Sequence, residues 1–214
     1  MPRPRSLSPT AIAAAALAII DRDGLAQLSM RTVAAELGIA PMSLYRYVES
    51  RDELEGLVLE SVVGAVDVSP GATAAWRERV EQLVRRVRAA IGAHPALVPL
   101  LLTRRQSSAG SVRWGEAMMH ALADGGFRGG ERAIAFRTVL AYLLGAVQLE
   151  HFGPLAGPGT ETLANLAASD FPYLSETARS ARSIPSDEEF RRGLALVLDG
   201  LDRARRRQRQ VKRG

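Results

Sequence analysis

The sequence predicts an all-α protein: an N-terminal three-helix unit containing a helix-turn-helix, followed by a larger C-terminal helical unit. Three observations carry this. Apolar residues recur at spacings of three and four, which is one face of a helix. No run alternates β-branched with polar residues, so nothing reads as a strand. Ser, Pro and Gly fall where helices would begin and end.

The first helix starts after Ser8, with Pro9 in the favoured first turn. It ends near Asp23, with Gly24 as its stop. Ile12, Ala16, Ile19 and Ile20 line one face. Ser29 caps a short helix from Met30 to Leu37 with Val33, Ala34 and Leu37 inward, and Gly38 ends it. Pro41 opens another short helix to about Tyr47. Ser50-Arg51-Asp52-Glu53 is a capping box that starts a helix to about Val66.

Asp67 to Thr73, with Pro70 and Gly71, reads as a joint, which gives an N-terminal domain of 1–67 and a C-terminal one of 68–214. Helices are then expected from Ala74 to Ala93, Pro95 to Thr103 and Ser108 to Ala123. A glycine-rich turn, Asp124 to Gly130, leads into a long helix from Glu131 to Phe152. Gly153 to Gly159 reads as a loop, followed by short helices around Glu161 to Ala168 and from Asp170-Phe171-Pro172. Ser186-Asp187-Glu188-Glu189 puts acids at the positive end of a final helix, expected from Asp187 to about Arg206.

Composition narrows the function classes. The 214 residues hold no cysteine, which excludes disulfides, thiolate metal sites and a cysteine nucleophile. There are 27 Arg and one Lys, with 34 Ala, a bias more typical of a GC-rich genome than of a function. The net charge is +5, but residues 203–214 hold seven basic residues and no acid, so the remainder carries −2. Basicity therefore belongs to the C-terminal tail, which reads either as a solvated end or as a second electrostatic contact with DNA. Arg3 and Arg5 before an apolar run give the N-terminus the look of a signal peptide. That run is mostly Ala and ends in Asp21-Arg22-Asp23, so a soluble helix is expected instead. The longest later apolar run, Val139 to Leu149, is shorter than the ~20 residues a bilayer crossing needs. A soluble, cytoplasmic protein with no membrane partner is expected.

Two short helices joined at a glycine, Ser29 to Val48, meet the demands of a DNA-reading motif. Ala34 permits close helix packing, and Gly38 can take the left-handed turn. Ile39, Leu44 and Val48 can pack inward, while Met42, Ser43, Arg46 and Tyr47 point outward. An ordinary helical hairpin has the same pattern, so a helical small-molecule-binding or scaffold protein with no role on DNA stays open at this point.

The flanking residues bear on that choice. Ala15-Ala16-Leu17 with Ile20 and Gly24, Leu28-Ser29-Met30-Arg31, Val33 to Ile39, Leu44 to Val48 and Ser50 to Leu54 are individually weak signals. In this order and spacing, residues 8–60 resemble the DNA-binding domain of the tetracycline-repressor (TetR) family of bacterial transcriptional regulators. Residues 74–210 are similar to that family's ligand domain in length, helix content and His94-Pro95 followed by Leu97. The resemblance implies a homodimer on a palindromic double-stranded operator, released by a small-molecule effector. By matching position, Arg31 reaches a phosphate or base edge, and Ala40, Pro41, Met42 and Ser43 face base edges. Tyr45 and Tyr47 contact phosphates, and Arg51 meets the backbone at the start of the next helix. Ala40, Pro41 and Met42 depart from many relatives in having no side-chain donor, which points to apolar contact with thymine methyls. Each residue also has a plainer reading, Tyr45 as a packed ring and Arg31 and Arg51 as solvated charges. Residues 1–51 carry six Arg against four acids, a small basic footprint.

Effector candidates are His94, Trp114, Met118, Phe136, Tyr142 and Gln148, polar or large side chains on otherwise apolar helices. Core packing is the competing reading for Trp114, Met118 and Phe136, and a helix-end cap for His94. The resemblance implies that the last helix and the one before the Gly/Pro loop form a four-helix dimer bundle, with Gly193, Ala195 and Gly200 allowing close approach. No catalytic constellation is present: no phosphate-binding glycine-lysine loop, no metalloprotease histidine pair and no serine elbow. His94, His120 and His151 are dispersed, so no metal, cofactor or enzyme activity is expected.

Overall fold

The computed structural model describes residues 7–69 and 75–211, with the side chains of 208–211 left aside. Every regular element among the described residues is helical. They are α1 (Pro9–Asp23), α2 (Met30–Glu36), α3 (Pro41–Leu44), α4 (Arg51–Val63), α5 (Trp76–Gly92), α6 (Val98–Thr103), α7 (Ala109–Asp124), α8 (Gly129–Phe152), α9 (Pro158–Ala164), α10 (Pro172–Ala181) and α11 (Ser186–Val211). They form two compact units, one holding residues up to 72 with 82–118, the other holding 73–81 with 119–214.

In the first unit, α1 packs on α2 and α4. The expected face of α1 is fully used, with Ile12, Ala16, Ile19 and Ile20 buried against Leu28, Val33, Ala34, Leu54, Val58 and Leu59. The Ser8 side chain accepts from the Ala11 N–H, and Gly24 takes φ +86 where the helix stops. Three carboxylates, Asp52, Glu55 and Glu60, then fasten α4 to residues 104–113. Glu60 accepts from the Ser108 hydroxyl and the Gly110 N–H, both at 2.7 Å, and from Arg113 at 3.2 Å. Partial burial pushes the Glu60 carboxyl up, but the Gly110 N–H, the Ser108 hydroxyl and Arg113 together outweigh it and hold it below its ordinary range. Gly110 lies so close that a Cβ there would meet the Gly64 Cα at 2.4 Å. This contact is where α4 ends, three residues short of the expected Val66.

In the second unit α11 packs along α8. Val139, Leu143, Leu144 and Val147 are buried with Phe190, Leu194 and Leu198. The Tyr142 hydroxyl donates to the Phe190 carbonyl at 2.7 Å, and its ring occupies the space a Gly193 side chain would need. The small residue at 193, expected to make room for a second copy, makes room for a ring of its own chain. By length and composition α8 could cross a membrane, although its apolar run is shorter than a bilayer, because Ala, Gly and Ile before the run extend the helix.

Other boundaries moved. Residues 95–97 form a 3₁₀ turn before α6. Helix α9 starts at Pro158, inside the expected loop, because the proline's fixed φ suits a first turn. Helix α11 continues to Val211 instead of fraying after Arg206. Arg205 explains part of this: it donates to the Gly125 carbonyl and Asp202 and lies 5.6 Å over the Trp76 ring. Arg206 adds a 2.7 Å bond to Asp202. The joint beyond residue 69 and Arg3 and Arg5 lie outside the described residues.

Candidate nucleic-acid interface

The turn of the helix-turn-helix is built from local bonds. The Ser29 hydroxyl accepts from the Thr32 N–H at 3.1 Å while the Thr32 hydroxyl accepts from the Ser29 N–H at 2.9 Å, closing both ends of one capping box. At the far end, Gly38 sits at φ +67. The Gly38 N–H donates to the Ala35 carbonyl and the Ile39 N–H to the Ala34 carbonyl, the paired closure that needs a left-handed residue.

Helix α3 is one turn long and ends at Leu44, not at Tyr47. Ala40 has no side chain to cap its start, and the chain tightens at its end, where the Tyr47 and Val48 N–H groups share the Leu44 carbonyl. Leu44 and Val48 are fully buried and anchor the turn, whereas Ile39 is only half-buried. Ala40 and Pro41 are exposed, Met42 is 76% exposed and Ser43 is half-buried. Tyr45 and Tyr47 are each 45% exposed, with more of each ring in solvent than a packed residue shows. Arg31 is exposed on the first turn of α2.

Arg51 is exposed but engaged. Its Nε donates to Glu55 Oε1 at 2.9 Å. Glu55 is 6% exposed, and its other oxygen accepts from Arg104 Nε at 2.9 Å. Arg104 also reaches Asp52 at 2.5 Å. Arg22 is engaged as well, bridging Asp23 and Glu36. Among the described residues of this segment, Arg31 and Arg46 are therefore the arginines whose charge is least committed. Arg104, Ser108 and Arg113 were not foreseen. The signal was Glu55 and Glu60 on the apolar stripe of α4, since a carboxylate on a buried face needs a partner.

Of the effector candidates, His94, Trp114 and Met118 lie in the first unit, and Phe136, Tyr142 and Gln148 in the second. The His94 Nδ1 is 2.8 Å from an Asp21 carboxylate oxygen at the end of α1, and the ring makes no helix cap. Trp114 is buried and donates to the Leu83 carbonyl at 3.0 Å, and Met118 is fully buried one turn along the same helix. Phe136 is half-buried, and Gln148 is exposed. Tyr142 lines a cavity of about 190 Å³ between α8 and α11, with Leu149, Glu150, Glu189 and Phe190.

Comparison with known proteins agrees with this geometry. Residues 12–55 match the family model described as bacterial regulatory proteins, tetR family, and residues 69–205 match the tetracyclin repressor-like C-terminal domain. The chain is 31% identical over 200 residues to an HTH-type transcriptional regulator of Saccharopolyspora erythraea, covering 89% of this chain and 82% of that protein. It is 30% identical over 217 residues to the HTH-type transcriptional repressor DrrR1 of Streptomyces coeruleorubidus, covering 94% and 79%. Among solved structures, ActR of Streptomyces coelicolor in complex with (S)-DNPA superposes with a TM-score of 0.76 at 30% identity, covering 91% of this chain and 96% of that one. BioQ, known from Mycobacterium smegmatis, superposes in its complex with a double-stranded DNA operator with a TM-score of 0.65 at 26% identity, covering 92% and 98%.

Proposed function

The chain belongs to the tetR family of bacterial regulatory proteins and is a DNA-binding transcriptional regulator, and from that premise we propose that it is a homodimeric, cytoplasmic repressor released from a palindromic operator by a small-molecule effector. Residues 1–67 read DNA, and residues 68–214 bind the effector and dimerise. The single observation that carries the reading mode is the tip of α3. Buried Leu44 and Val48 hold one short turn whose outward residues, Ala40, Pro41 and Met42, are apolar and solvent-facing. Such residues cannot donate hydrogen bonds to base edges, but they can meet the thymine methyl in a major groove. Ser43 adds the one hydroxyl at the tip. Arg31, Tyr45, Tyr47 and Arg51 surround it and take phosphates, which position the protein without reading sequence.

Exposed Ile134, Leu149 and Phe152 on α8 and Leu196 on α11 support the dimer. A second copy that covers them buries apolar surface the single chain leaves in water. ActR is solved with actinorhodin as well as with (S)-DNPA, so these two compounds are the first to test for release. Trp114 and Met118 are core of the first unit and His94 is paired with Asp21 there, so Phe136, Tyr142 and Gln148 of the second unit are the candidates for direct contact with the effector. An effector dissociates the complex only by binding the DNA-incompetent state more tightly.

The reading mode is tested on the tightest duplex that the wild-type protein selects from a randomised pool. Replacing the half-site thymines by uracil, which removes only the methyl, is expected to weaken binding by about 1 kcal/mol per contacted methyl, close to one buried methylene. The loss should be much smaller in Met42→Ala. An equal loss in both proteins would show that Met42 does not read the methyl.

A further inference from the structure

We infer that Arg104, distant from Arg51 in sequence but bound to the same carboxylate, positions Arg51 for its phosphate; the inference rests on the reading of Arg51 as a backbone contact. Arg51 begins α4 and is surrounded by acid on its own helix, with Asp52 next to it and Glu55 one turn on. Glu55 is buried, so its charge must be answered by protein groups rather than by water. Two arginines answer it, one per oxygen: Arg51 at 2.9 Å and Arg104 at 2.9 Å. The same Arg104 guanidinium forks to Asp52. The four charges sum to zero only with Arg104 in place.

That arrangement sets what Arg51 can offer to DNA. With Arg104 docked, it takes Asp52 and one oxygen of Glu55, and Arg51 holds Glu55 through Nε alone. Its terminal nitrogens make one long contact, 3.4 Å to the Leu25 carbonyl, and half of the side chain stays in solvent. With Arg104 withdrawn, Glu55 and Asp52 have Arg51 as their nearest cation. Arg51 then folds back on its own helix, and its field towards a phosphate is cancelled. Arg104 follows α6, in the segment that matches the C-terminal family domain. A movement of that residue therefore changes the charge presented at the DNA interface without moving α3. The role needs a fork, since a lysine cannot bridge Glu55 and Asp52 with planar geometry.

The test measures affinity for the selected duplex across salt concentrations for wild type, Arg51→Gln, Arg104→Met, Glu55→Gln and the Glu55→Gln, Arg104→Met pair, with thermal melts to establish folding. One lost phosphate contact makes the slope of log K against log salt shallower by about 0.9 per protomer, or about eightfold in affinity at 0.1 M salt relative to a 1 M reference. That loss is expected for Arg51→Gln and for Arg104→Met, with the slope regained when Glu55→Gln is added to Arg104→Met. A purely structural role for Arg104 would alter the melt and leave the slope alone. A folded Arg104→Met with wild-type slope, beside an Arg51→Gln that loses it, overturns the inference and leaves the DNA reading of Arg51 intact. An Arg51→Gln of wild-type slope overturns that reading, and the inference with it. Should Arg104→Met not fold, Glu55→Gln decides alone: it is expected to bind at least as tightly as wild type, and weaker binding by a folded Glu55→Gln overturns the inference.

Discussion

An Arg31→Ala, Tyr45→Phe double variant is expected to bind the selected duplex at least about a hundredfold more weakly than wild type while melting within about 2 °C of it. Both side chains stand in solvent, and Phe keeps the half of the Tyr45 ring that packs. Surface changes of this kind shift stability by about 0.5 kcal/mol or less. On DNA each removes a hydrogen bond to a charged phosphate, worth about 1.5–3 kcal/mol. Two such losses per protomer exceed the ~2.7 kcal/mol that corresponds to a hundredfold. The salt slope should fall by about 0.9 per protomer, from Arg31 alone, because a phenol releases no counterion. Fluorescence anisotropy with a thermal melt measures both quantities. Unchanged binding by the folded variant would move the interface off α2 and α3.

The second large effect is on the fold. Gly110→Ala is expected to cost about 3 kcal/mol, at the upper end of overpacking, because the new Cβ meets backbone rather than a movable side chain. It would lie 2.4 Å from the Gly64 Cα, 2.6 Å from the Gly64 nitrogen and 2.9 Å from the Val63 carbonyl carbon. At ~2–4 °C per kcal/mol for a chain of this size, the melt should drop by about 6–12 °C. The loss should depend on pH. The Gly110 N–H is one of the groups that hold the Glu60 carboxyl below its ordinary 4.5. A lowered folded value contributes stability that is full above 4.5 and is lost as pH falls through the folded value. The gap between wild type and variant should therefore be widest above pH 4.5 and narrow below it. A melt unchanged by the substitution would mean that α4 and α7 do not meet at these glycines.

What the sequence could tell depended on how far away each cause lies. Ser8, Pro9 and Gly24 act on their own helix, and the bounds of α1 follow from them. Ser29 and Gly38 likewise define α2 and the turn after it. Helix α3 came out shorter than its periodicity suggests, because the shared Leu44 carbonyl closes the turn before Tyr47 can join it. Helix α4 stopped early for a reason 46 residues away, the seat of Gly64 on Gly110. The exposed tip from Ala40 to Met42 was legible, since helical period alone puts Leu44 and Val48 inside. Apart from Arg51, one turn before Glu55, the partners of Glu55 and Glu60 were not, as they lie 48 to 53 residues further along the chain. Nor was the pairing of His94 with Asp21, 73 residues apart. A spacing argument finds which residues share a face, but it does not find what that face will meet.

The most direct measurement is hydroxyl-radical footprinting of the selected duplex. A homodimer with two reading heads is expected to give two protected patches related by a two-fold axis, with centres one helical turn apart, about 34–36 Å or 10–10.5 base pairs. Both patches should fade together when Arg31 and Tyr45 are replaced. A single patch, or a pair that persists in the folded double variant, would contradict this expectation.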